Sequence, residues 1–119
     1  MSKIVFDLSV LTRCNIPLHR VAASSPVYRE GEEGTSMYIV CSGAVEITNG
    51  TTQHLLGSGE IFGELALIEE ATRKESATAC GATELAIIDK ATFRRLIATE
   101  PELALQIMQV MAVRLRGHA

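Results

Sequence analysis

The sequence predicts a mainly β domain with flanking α structure, closed by two C-terminal helices. From Pro26 to Asp89, glycines recur at Gly31, Gly34, Gly43, Gly50, Gly57, Gly59, Gly63 and Gly81, between short segments rich in apolar and β-branched residues. After Asp89 that pattern stops, and apolar residues recur at helical spacing to about Arg116. The whole chain has 119 residues and is 47% apolar, the size of one domain, and such a chain buries roughly 65% of its unfolded surface.

The elements follow in order. The first 20 residues are ambiguous, with Ser9 to Cys14 reading as a short helix. Candidate strands are Val27 to Arg29, Met37 to Cys41, Ala44 to Thr48, Gln53 to Leu56, Ser76 to Cys80 and Glu84 to Ile88. Asn49-Gly50 between two of them signals a hairpin, because both residues tolerate positive φ. Asp89 is placed to cap a helix from Lys90 to Ala98, with Phe93, Leu96 and Ile97 on one face. Thr99-x-x-Glu102, with Pro101 in the first turn, reads as a capping box for a second helix over about 100–116, ending in Arg114, Arg116 and then Gly117.

Eleven basic against 14 acidic residues leave a net charge of −3, which argues against a nucleic-acid-coating surface or a polybasic membrane anchor. The chain nowhere reaches about 18 consecutive apolar residues, and its N-terminus lacks the apolar core of a signal peptide. Cys14, Cys41 and Cys80 have neither CxxC nor CxC spacing. They read as small buried hydrophobes in a reducing, cytoplasmic setting. His19, His54 and His118 form no HxH or HxxxH pair, so no metal site is expected, which also argues against a metal-dependent cupin enzyme. With no nucleophile elbow or convergent acid–base pair, the chain is expected not to be an enzyme.

The chemistry concentrates in Gly57-Ser58-Gly59-Glu60-Ile61-Phe62-Gly63-Glu64-Leu65-Ala66-Leu67-Ile68. Flexible backbone ahead of a short helical run leaves N–H groups free to face an anion. Arg73 and Lys74 follow closely enough for a forked guanidinium to close over that anion. A carboxylate at Glu64 would repel phosphate but accept hydrogen bonds from a sugar hydroxyl, so a ligand joining phosphate to ribose suits both. The competing reading is a surface ion pair between Glu64 and Arg73.

The run FGELALI followed by Arg73 at the fifth position resembles the phosphate-binding cassette of cyclic nucleotide-binding domains. Tyr28-Arg29-Glu30-Gly31-Glu32-Glu33-Gly34 and Met37-Tyr38-Ile39-Val40-Cys41-Ser42-Gly43 extend the resemblance to most of the chain. It implies a jelly-roll-like β-roll over about 20–89 and a single domain over 1–119. It further implies that Glu64 takes the ribose 2′-hydroxyl and that Arg73 contacts the cyclic phosphate. Gly63 and the backbone N–H groups near Leu65, Ala66 and Lys74 would complete the cradle.

Thr72-Arg73-Lys74-Glu75-Ser76-Ala77-Thr78 departs from the family pattern: the usual proline is absent, and Glu75 replaces a small residue. A carboxylate there would weaken anion binding by roughly 1 kcal/mol or more, an effect that Lys74 opposes. A second register sets Glu75-Ser76-Ala77 on the family's Arg-Ser-Ala and brings Ser76 to the site. In the ungapped register Lys74 occupies the place where cGMP-selective members often carry Thr, which sets cAMP ahead of cGMP.

The final helix carries apolar residues on more than one face: Leu103, Ala104, Leu105, Ile107, Met108, Val110, Met111, Ala112, Val113 and Leu115. Burial, a lid over the base from Met108, Met111 or Val113, homodimer pairing and docking of a fused or partner effector domain all fit this pattern. The chain ends before a helix-turn-helix could follow, so its output is expected to lie elsewhere. The expected function is a regulatory module that binds a cyclic nucleotide and needs no cofactor. The alternative is a β-roll that has lost its ligand and serves as an interaction domain.

Overall fold

The computed structural model describes residues 5–117, and the side chains of 5–114. Expectations for Leu115, Arg116 and His118 therefore lie outside the described side chains. The elements are α1 (Ser9–Arg13), β1 (Leu18–Val21), β2 (Pro26–Tyr28), β3 (Ser36–Asn49), β4 (Thr52–Leu56), β5 (Ile61–Phe62), α2 (Glu64–Glu69), β6 (Ser76–Asp89), α3 (Lys90–Thr99) and α4 (Pro101–Gly117). The mainly antiparallel β-roll with C-terminal helices is the fold class expected.

Two expected strand pairs prove to be single strands. Met37–Cys41 and Ala44–Thr48 fuse into β3, and Ser76–Cys80 and Glu84–Ile88 fuse into β6, each 14 residues long. The two pair along their length, with register shifts between Val40 and Ala44. Gly43 does not separate two strands but sits at this irregularity with φ +82°, inside the continuous strand. A Cβ there would lie 2.5 Å from the Ala82 carbonyl oxygen and 2.7 Å from Thr83 Oγ1. The short strands β1 and β5, missed in the sequence, pair with β6 and β3 respectively.

The hairpin is real, but its loop is Gly50-Thr51: Asn49 pairs with Thr52, and only Gly50 takes positive φ, at +59°. The cap at Asp89 forms as expected, its carboxylate accepting the Thr92 amide at 2.8 Å. The capping box does not form. Thr99 ends α3 and donates its hydroxyl to the Arg95 carbonyl, while the Glu100 carbonyl accepts the first amides of α4 from Leu103 and Ala104. Pro101 begins α4, where its missing N–H is no loss.

One arm of the sheet is buried on both faces, which explains its unbroken apolar runs. Met37, Ile39, Ile61, Ala86 and Ile88 face a core completed by Leu96 of α3 and by Leu103, Ile107 and Val110 of α4. Their alternates Val40, Phe62 and Leu85 face the roll interior with Tyr28, Val45, Ile47 and Ala77. Ile97, expected on the core face of α3, is exposed, and Cys80 is exposed rather than buried. No single helix among the described residues is long and apolar enough to cross a membrane.

Candidate functional site

β5 brings the chain to Gly63, and α2 begins at Glu64. Gly63 has φ +78°, and a Cβ on it would lie 2.8 Å from an Arg73 guanidinium nitrogen. Glycine is required here for conformation and for space alike. Opposite, the β2–β3 loop grips the returning chain: the Arg73 amide donates to the Glu32 carbonyl, and the Gly31 amide to the Arg73 carbonyl. Gly34 lets that loop close on α2, since a Cβ there would fall 2.2 Å from the Ala66 methyl.

Arg73 is 4% exposed. Its Nη1 donates to the Gly63 carbonyl at 2.8 Å and its Nη2 to the Ser36 carbonyl at 2.6 Å. The guanidinium carbon stands 4.1 Å from the centre of the Tyr28 ring, a cation–π contact. Tyr38 and Phe62 stack beside it with centroids 5.1 Å apart. Among the described residues this buried cation has no carboxylate partner, and its Nε–H has no acceptor.

Glu64 is 1% exposed and does not pair with Arg73. Its carboxylate accepts Nη1 of Arg114 from α4, while Nη2 of Arg114 donates to the Ile61 carbonyl. Burial pushes the Glu64 pKa above the ordinary 4.5; Arg114 opposes the shift and the nearby Glu75 adds to it. The surface ion pair weighed from the sequence is thus replaced by two buried charges with separate surroundings.

Gly63, Glu64, Leu65, Ala66 and Arg73 gather around one turn, with Leu65 half-buried and Ala66 buried. Lys74 is exposed and Glu75 half-buried beside them. The Ser76 hydroxyl accepts the Glu30 amide at 2.9 Å and ties down the β2–β3 loop. Of the residues expected to cover a base, Met108 faces solvent, Met111 packs against the helix-side core and Val113 is half-buried. Sequence reasoning missed the aromatic bed of Tyr28, Tyr38 and Phe62, and it missed Arg114. Alternation in the β3 segment placed Tyr38 and Val40 on one face. Arg114 looked like an ordinary basic residue ending a helix.

Residues 18–100 match the cyclic nucleotide-binding domain family, and the chain belongs to it. It is 35% identical over 97 residues to the cyclic AMP receptor protein of Thermus thermophilus, covering 76% of this chain and 45% of that one. The crystal structure of Thermus thermophilus catabolite activator protein superposes with a TM-score of 0.81 at 29% identity, covering 93% of this chain and 55% of that one. A structure described under a cyclic-GMP-dependent signalling pathway in bacterial phytopathogenesis superposes at 0.84 with 26% identity, covering 98% of each chain. The chain therefore spans less than half the length of its receptor relative. The family's module is a regulatory, non-catalytic one.

Proposed function

We propose that this chain binds a 3′,5′-cyclic nucleotide, cAMP in preference to cGMP, and transmits its binding through the C-terminal helices. The observation that carries this reading is Arg73: a buried cation without a counter-ion among the described residues, with one donor unpaired, at the turn that opens α2. A buried charge lacking a partner is costly, and an anion supplies what the protein withholds. In this reading the cyclic phosphate meets Arg73 and the amides near Leu65, Ala66 and Lys74, Gly63 allows its approach, and Glu64 accepts the ribose 2′-hydroxyl. The preference for cAMP rests on Lys74 standing in the position after the cassette arginine and on the likeness to the cyclic AMP receptor protein of Thermus thermophilus. The phytopathogenesis protein belongs to a cyclic-GMP-dependent pathway, so both nucleotides belong in the test. Three free thiols suit work in the reducing cytoplasm.

The test is isothermal titration of the nucleotide-stripped protein with each ligand, on wild type, Arg73→Ala and Glu75→Ala. Wild type is expected to bind cAMP more tightly than cGMP, at about micromolar Kd or better, a free energy near −8 kcal/mol. Arg73→Ala should lose that binding and Glu75→Ala should tighten it. A second reading, a β-roll serving as an interaction domain through α4, is favoured by Glu75 beside the site and by Leu105 and Met108, which are 46% and 56% exposed. Absence of heat from a folded, stripped protein that sediments as a dimer would select it.

A further inference from the structure

Of the strands that end the sheet path, β1 carries Arg20, whereas β4, Thr52-Gln53-His54-Leu55-Leu56, has no acidic residue, lysine, arginine or proline. Charge and proline are the usual guards of an exposed sheet edge. Four of the five residues of β4 are exposed, and Leu55, at 61%, is more exposed than any other large apolar residue among those described. The hairpin fixes which backbone groups are free. Asn49 and Thr52 flank the Gly50-Thr51 loop and exchange both hydrogen bonds, and from there bonded and open pairs alternate along the ladder. His54 is thus bonded to Ile47 and Leu56 to Val45, while Gln53 opposite Thr48 and Leu55 opposite Glu46 are open pairs. The N–H and C=O groups of Gln53 and Leu55 therefore point away from β3, and no group among the described residues takes them.

We propose that β4 is a self-pairing edge: a second copy of this chain lays its own β4 antiparallel against it, about a twofold axis that passes between the two His54 residues. In that register Gln53 lies opposite the partner's Leu55 and Leu55 opposite the partner's Gln53, so every outward-facing N–H and C=O of the two strands is paired. An axis at Gln53 or at Leu55 would pair that residue alone within the strand. Charge agrees with the same register. Val45 and Ile47 face the roll interior, so Glu46 and Thr48 share the outer face with Leu55 and Gln53. Across the joined sheets the outer row runs from Glu46 through Leu55 and the partner's Gln53 to the partner's Thr48, and no like charges stand opposite each other. The two Glu46 positions are held at least three strand spacings apart, about 14 Å, beyond the screening length at physiological salt. The interface is small, so the pairing is weak and belongs to high local concentration. It does not rest on the nucleotide reading, because β4 contributes nothing to the cassette.

The experiment is sedimentation equilibrium of wild type and variants up to about 1 mM, where wild type should pass from monomer to dimer with a Kd on the order of 0.1 mM. Leu55→Pro removes an N–H that β3 does not use, so the monomer should fold while association weakens at least about tenfold. His54→Lys and His54→Glu each set like charges directly opposite one another and should each weaken association about tenfold. An equimolar mixture of the two should associate at least as tightly as wild type, because opposite charges then face each other across the axis. A thermal melt of each variant checks that it is folded, and the two His54 variants carry the test if Leu55→Pro is not. Wild type that stays monomeric throughout overturns the proposal. So does a dimer that Leu55→Pro leaves intact, which would place the interface elsewhere, or a mixture that associates no better than its components, which would rule out this register.

Discussion

At Glu64 two influences oppose each other: burial resists ionisation of the carboxyl, and the Arg114 guanidinium beside it favours ionisation. Burial raises its pKa above 4.5, Arg114 counters that and Glu75 reinforces it. Because the folded-state pKa is the higher one, the folded protein takes up this proton at a pH where the unfolded chain does not. The resulting stabilisation is fully present below the ordinary carboxylate range and is lost as pH rises through the folded-state value. Urea midpoints of wild type and Glu64→Gln should therefore diverge as pH rises above the ordinary carboxylate range, wild type losing ground to the variant. Parallel curves would show that Glu64 titrates alike in both states. The motif around Glu64 and Arg73 was legible in the sequence, because FGELALI and the arginine are close neighbours in the chain. Their partners were not: Ser36 and Arg114 lie 37 and 50 residues from the groups they contact, and no local spacing encodes such meetings.

For the elements, glycines mark where local inference succeeds and where it fails. The hairpin forms with positive φ at Gly50 alone and not at Asn49, Gly43 serves to bend a continuous strand, and a glycine in a turn and one in a bulge look the same in sequence. Gly43→Ala meets both a strained φ and the Ala82 carbonyl at 2.5 Å. It should cost about 1–3 kcal/mol, read from the urea midpoint. A change within about 0.5 kcal/mol would mean that the long strands can shift their register to make room. The break between α3 and α4 is a parallel case. The Thr99 hydroxyl had a carbonyl of its own helix within reach, so the capping box lost to a local hydrogen bond.

The domain as a whole is organised by one sheet arm with a core on each face, and α4 touches both the helix-side core and the cassette. Ile107, 1% exposed, anchors α4 in that core. Ile107→Ala should lower unfolding free energy by about 2–5 kcal/mol and, if α4 reports on the site, weaken cAMP binding as well. Loss of stability with unchanged affinity would uncouple the helix from the ligand. The class of fold and the two closing helices could be read from the chain alone, because strand alternation, helix periodicity, glycine placement and capping at Asp89 act over a few residues, and the cassette was read through its resemblance to a family motif. Three features emerge only once the chain is folded: two long strands rather than four short ones carry the roll, Arg73 lies on an aromatic bed, and Glu64 is held from α4. Each of these depends on which distant segments share the limited interior of the fold, where a buried charge takes whatever partner the packing brings to it.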